Sequence, residues 1–219
     1  EETMEDDLGM DAEGRFNLIP RLTPGFTGQT RRARYYSFFT WVIDEFRRDT
    51  DIMHNRDSFT LYLRRHENAL LLAYMAHGCG TGAVGVTAAN TAWSGGSLDK
   101  YDVAGWRALP SRPRGAYAQQ YSAPLRDMNL TEQEGSFAIP TEPTGLQLAE
   151  SFRRSVEKTR YCSEFRKTDF LPRDLVEGDM ADSLCLCRLE EFPAERKALT
   201  EVFFRFDTPD VYSVQRLST

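Results

Sequence analysis

Four cysteines and three histidines carry most of the chemistry available to this 219-residue sequence: Cys79, Cys162, Cys185 and Cys187, with His54, His66 and His77. Thiolates and imidazoles are the ligands zinc prefers, four at a time. His77 and Cys79 stand two residues apart, and so do Cys185 and Cys187. The second pair falls in a predicted helix, where positions i and i+2 point apart. No partner pair for His77 and Cys79 is evident. The expectation is therefore buried free thiols, with no metal centre and no cofactor. Residues as close as His77 and Cys79 do not make a nucleophile–base triad. No HExxH, GxSxG or clustered carboxylate motif appears, which points away from an enzyme. The glycine-rich stretch Gly78–Gly85 follows a predicted helix rather than a strand. It has no lysine before Lys100, so it reads as a helix C-cap and connector, not a phosphate loop.

A second chemistry is anion binding. Arg31, Arg32 and Arg34 open a predicted helix over 30–48, rich in the aromatics Tyr35, Tyr36, Phe38, Phe39, Trp41 and Phe46. Cations in a first helical turn oppose the macrodipole by a few tenths to about 1 kcal/mol each. An anion is expected beside them: internal carboxylates first, then phosphate or an acidic partner. Arg153, Arg154 and Lys158 form a similar outward group on a predicted helix over 144–161, with Glu150 and Arg154 at i,i+4 spacing. Arg112, Arg114 and Arg126 are the candidate contacts if DNA is bound.

The elements that must hold these residues are mostly helical. On the first helix Phe38, Val42, Tyr35, Phe46, Phe39, Ile43 and Tyr36 cover about 160° of the wheel. Ser37, Thr40 and Asp44 fall opposite, and Trp41 lies outside the arc, so contacts from two directions are expected. A second helix is predicted from Asp57 or Ser58 to His77, capped by one of those two residues, with Glu67 paired to Arg64. Further helices are predicted over 98–109, from 174 or 179 to 192, and over 193–206, with Pro193 suited to the first turn. Pro110-Ser-Arg-Pro-Arg-Gly breaks the chain and is taken as a subdomain boundary.

Charge is distributed unevenly. Residues 1–14 hold seven acids and no base, while 15–34 hold five arginines and no acid. The acidic arm is read as solvated, or as a mask over the arginines. A net charge of -6 and a pI near 5.2 argue against a general nucleic-acid coating protein. Few cysteines, no leader and no long apolar run fit a reducing cytosol and no membrane partner. The sequence starts at Glu1 rather than Met, as part of a longer protein would.

From Tyr117 the pattern Leu125, Met128 and Leu130, then Gly135 with Phe137–Ile139, then Thr141, Thr144, Gly145, Leu146 and Leu148 resembles the helix, wing and following helix of PadR- or MarR-like winged-helix domains. That resemblance implies a DNA-reading helix and a small wing near residues 136–139. Pro124 inside the presumed recognition helix, and only Arg114 and Arg126 as its cations, shift the implication toward protein contact. The run R-R-A-R-Y-Y-S-F-F-T-W-V resembles uncharacterised bacterial proteins from anti-phage defence neighbourhoods.

The resulting expectation is a mainly α multi-helix bundle with a small β-wing. An N-terminal helical subdomain with its acidic arm spans 1–110, and a winged-helix-like subdomain spans 111–219. The expected function is a non-catalytic adaptor or scaffold subunit of a larger cytosolic, prokaryotic complex. The alternative is a winged-helix DNA-binding protein.

Overall fold

A computed structural model describes residues 30, 32–80, 82–96 and 99–204; the acidic arm and Arg31 lie outside the described residues. The architecture is mainly helical, as the periodicity predicts, with two small two-stranded sheets, of which only the wing was expected. Its axis is α1 (Arg34–Arg48), whose residues from Arg34 to Phe46 are all buried. The sequence expected one polar side, at Ser37, Thr40 and Asp44, yet those three are fully buried too. The reason is that α1 is enclosed all round, by α2 (Arg56–Ala76), α5 (Thr144–Val156), α8 (Pro193–Phe203) and strand β3 (Phe137–Pro140). Its polar groups are satisfied there. Thr40 donates to the Tyr36 carbonyl at 2.7 Å, and Asp44 meets three arginines.

Aromatic packing locks α1 to α5. Phe38 meets the Phe152 ring edge-on at 5.8 Å, and Trp41 lies between Phe152 and His66. Such pairs add about 0.5–1.5 kcal/mol each beyond buried area. On α5 the predicted stripe Leu148, Phe152 and Val156 is buried. Gly145 lets the start of α5 approach the Leu130 carbonyl, which an added Cβ would strike.

α2 starts one or two residues earlier than expected. Its cap is Asn55, whose carboxamide oxygen accepts the Asp57 and Ser58 N–H groups at 3.0 and 2.9 Å. Glu67 does not pair with Arg64. It is buried and accepts the Ala116 N–H at 2.8 Å, tying α2 to the segment before α4 (Ser122–Asp127). After the glycine-rich connector comes a helix that the sequence did not signal, α3 (Val86–Ser94). The predicted helix over 98–109 is instead strand β1 (Lys100–Asp102), paired antiparallel with β4 (Phe170–Pro172) so that buried Tyr101 faces buried Leu171.

The wing exists as the hairpin β2 (Thr131–Glu134) and β3, turning through Gly135 at φ 57°. Between β4 and α8 the expected long helix is broken. Helical turns α6 (Arg173–Leu175) and α7 (Ala181–Ser183) flank a π-helical stretch, Val176–Met180. A turn holding Cys185 and Cys187 follows, then a 3-10 turn, Arg188–Glu191. One buried cluster runs from Tyr35 to Leu199, across the boundary expected at residue 110.

Candidate functional site

For Arg34, the anion expected beside the first-turn arginines is internal. Arg34 is buried, and its Nε donates to Glu195 Oε1 at 3.2 Å. One Nη donates to the Ser183 carbonyl at 2.7 Å, and the other to the Cys185 carbonyl. The guanidinium is sandwiched by the Phe152 and Phe192 rings, and Ser37 donates to Glu195 at 2.6 Å. A side chain so enclosed is closed to an outside partner. Arg32 donates to the Tyr74 hydroxyl at 3.4 Å and packs against Gly82.

The second predicted group divides. Arg153 bridges Asp44, Glu45 and Glu150, at 2.7 and 2.8 Å for the first two, so it too is internal. Arg154 pairs with Glu150 at 3.3 Å on the surface, as the i,i+4 spacing predicts, and Lys158 is exposed. The third group stays on the outside. Arg112 and Arg126 are exposed and Arg114 is partly so; among the described residues none of the three forms an ion pair. Burial pushes the Tyr117 hydroxyl up to about 12, against the opposing charges of Arg114 and Arg126.

The structure also assembles a constellation the sequence did not join. α2 ends in a Schellman turn: Gly78 N–H donates to the Met75 carbonyl and Cys79 N–H to the Tyr74 carbonyl. Gly78 and Gly80 take φ of 73° and 71°, a conformation that suits glycine and turns the chain back sharply. His77 and Cys79 are thereby presented together. Cys185 and Cys187 reach them from the turn after α7, which is not helical, so the i and i+2 side chains converge instead of diverging. The Sγ of Cys79 lies 3.3 Å from that of Cys185 and 3.0 Å from that of Cys187. Cys185 and Cys187 are also 3.0 Å apart, and His77 Nδ1 is 3.1 Å from Cys79 and 3.2 Å from Cys187. All four ligand atoms fall within 4.8 Å of one another, and all the cysteines are free thiols. These four residues could hold a metal ion. Burial raises the Cys185 and Cys79 thiols, with Cys187 also contributing. The signal available in the sequence was the repeated one-residue gap, His77-x-Cys79 and Cys185-x-Cys187, each beside a helix break.

Beyond it an open groove of about 820 Å³ runs along α3. Its walls come from Val86, Ala88, Ala92, Trp106, Leu109 and Phe170, among others. The charged lining residues are Lys100 and Asp102. Lys100 lies 4.4 Å over the Phe170 ring, and Asp102 accepts the Ala104 and Gly105 N–H groups at 2.8 and 2.9 Å. Both are engaged in holding the groove's own walls. Phe170 at the edge is one of few large apolar side chains left about half exposed. No helix among the described residues is long and apolar enough to cross a membrane.

Compared with known proteins, the chain matches no family model, no curated protein and no solved structure.

Proposed function

We propose that the chain is a non-catalytic adaptor subunit of a larger protein assembly, and that it receives an apolar segment of a protein partner in the groove along α3. The groove carries this reading. Its walls are largely apolar, and its two charged residues are already engaged within the protein. Such a surface offers little to a polar substrate and much to a row of apolar side chains. A photo-crosslinking residue at Thr91, on the exposed rim, tests it in cells of the source organism. The expected product is a crosslink to an apolar stretch of one protein, abolished by Ala88→Glu in a chain that still folds. Crosslinks confined to nucleic acid, or indifferent to Ala88→Glu, would overturn it.

A second reading, the winged-helix DNA-binding protein, is favoured by the Arg112, Arg114 and Arg126 group together with the β2–β3 hairpin. Those arginines differ from Arg34 and Arg153 in forming no internal ion pair among the described residues. Phosphate contacts predict duplex affinity that falls steeply with salt and a shallower slope when the three are replaced by alanine. No binding at low salt rejects this reading.

A further inference from the structure

We propose that His77, Cys79, Cys185 and Cys187 bind one structural zinc ion, which fastens the C-terminal end of α2 to the turn after α7. The donor set is three thiolates and one imidazole, the composition of a closed tetrahedral zinc site. The three sulfurs form a nearly equilateral triangle with edges of 3.0, 3.0 and 3.3 Å, and His77 Nδ1 sits over one edge. Zn–S bonds of about 2.3 Å to tetrahedral corners imply S···S edges of about 3.8 Å. The three sulfurs therefore need to spread by less than 1 Å to accept the ion. A disulfide would bring two sulfurs to about 2.05 Å and leave the third thiol and the imidazole unexplained.

The surroundings match a bound cation as well. Arg34 grips the carbonyls of Ser183 and Cys185 and holds that turn in position from behind. Three thiolates and one Zn²⁺ leave one net negative charge. Arg32, which donates to the Tyr74 hydroxyl that in turn donates to the Cys79 carbonyl, lies close enough to offset it. On binding, three S–H groups release their protons to water as three Zn–S bonds form, and nothing is oxidised or reduced. Cys185 is fully buried and Cys79 and Cys187 are partly buried. With four protein donors, no position remains open for a substrate, so the role is structural.

The test starts with the full-length chain purified under reducing conditions. Elemental analysis is expected to give one zinc per chain, released in step with titration of thiols by a mercurial reagent. Cobalt substituted for zinc is expected to show strong thiolate charge-transfer and tetrahedral d–d absorption. Cys79→Ser and Cys187→Ser are expected to lower affinity for zinc by 100-fold or more, while Cys162→Ser, outside the cluster, keeps full occupancy. Should the cluster variants fail to fold, the wild-type zinc content, mercurial release and cobalt spectrum still decide. A chain that takes up no zinc from solution, a cobalt spectrum without thiolate bands, or a Cys79–Cys187 disulfide in freshly prepared reduced protein would each overturn the proposal.

Discussion

The stretch Ser183–Glu195 is tied to the N-terminal helices at two places with opposite chemistry. At one, Arg34 finds a carboxylate, two carbonyls and two aromatic faces, and every charge is answered within the protein. At the other, His77, Cys79, Cys185 and Cys187 present four donors to one another. The first tie is complete in the apoprotein; the second is completed by an ion. They share Cys185, whose carbonyl serves Arg34 while its sulfur joins the cluster. A buried ion pair costs much desolvation and contributes little net stability, but losing one partner is severe. A metal tie instead varies with metal supply and pH.

The largest effect should come from breaking the charge tie on one side only. Glu195→Ala leaves Arg34 buried without its carboxylate and is expected to cost about 3–5 kcal/mol in denaturant unfolding. Pairing Arg34→Met with Glu195→Leu should recover most of that loss. A double variant as unstable as Glu195→Ala alone would show that the aromatic sandwich, not the charge, needs the arginine.

Breaking the metal tie is expected to come close behind. With free zinc at about 1,000 times Kd, chelation removes roughly 4 kcal/mol of linkage stabilisation. The shift should vanish in Cys187→Ser and persist in Glu195→Ala. A chelator effect unchanged in Cys187→Ser would place the ion elsewhere.

Glu67 sharpens the contrast, because it is buried with a backbone N–H as its partner and no cation. Burial pushes its carboxyl from the ordinary range up to about 8, against the pull of the Ala116 N–H. The folded chain then binds a proton that the unfolded chain has released, so stability falls as pH rises from about 4.5 to 8. His66 acts in the other direction: burial lowers it to about 4, and stability falls as pH drops from about 6.5 to 4. Between about 6.5 and 8 the Glu67 slope remains alone. With chelator present, wild type is expected to lose about 2 kcal/mol across that window and Glu67→Gln much less. Equal slopes would exclude Glu67 as the source.

Asn55→Ala should give the smallest change, about 1 kcal/mol from losing the α2 cap. Because Asn55 lies at the opposite end of α2 from His77, zinc content should not change. A loss of zinc in this variant would mean that α2 frays along its whole length.

How much of this could be read from the sequence depended on distance along the chain. The aromatic arc of α1 and the Leu148–Phe152–Val156 stripe are local periodicities, and both are buried as expected. Of the first-turn arginines Arg34 has an anion beside it, but that anion is Glu195, 161 residues later, and no local pattern names such a partner. The three-residue strands β1 and β4 are too short for alternation to register. The Cys/His cluster was hidden by Leu184, Leu186 and Leu189, whose apolar spacing suggested a continuous helix through Cys185 and Cys187. The helix actually ends at Ser183, after the π-helical stretch, and the turn that follows is what brings the two sulfurs together.

The Arg34 tie also sets an order of assembly. A chain emerging from the ribosome presents α1 and α2 long before residues 183–195, and contacts of such separation close late. Until Glu195 arrives, Arg34 lacks its carboxylate, and the part of α1 that α8 covers, including the edge of Tyr36 against Phe203, stays open to water. Nascent chains halted before residue 195 are therefore expected to leave that face of α1 exposed, and the arrival of Glu195 to close it.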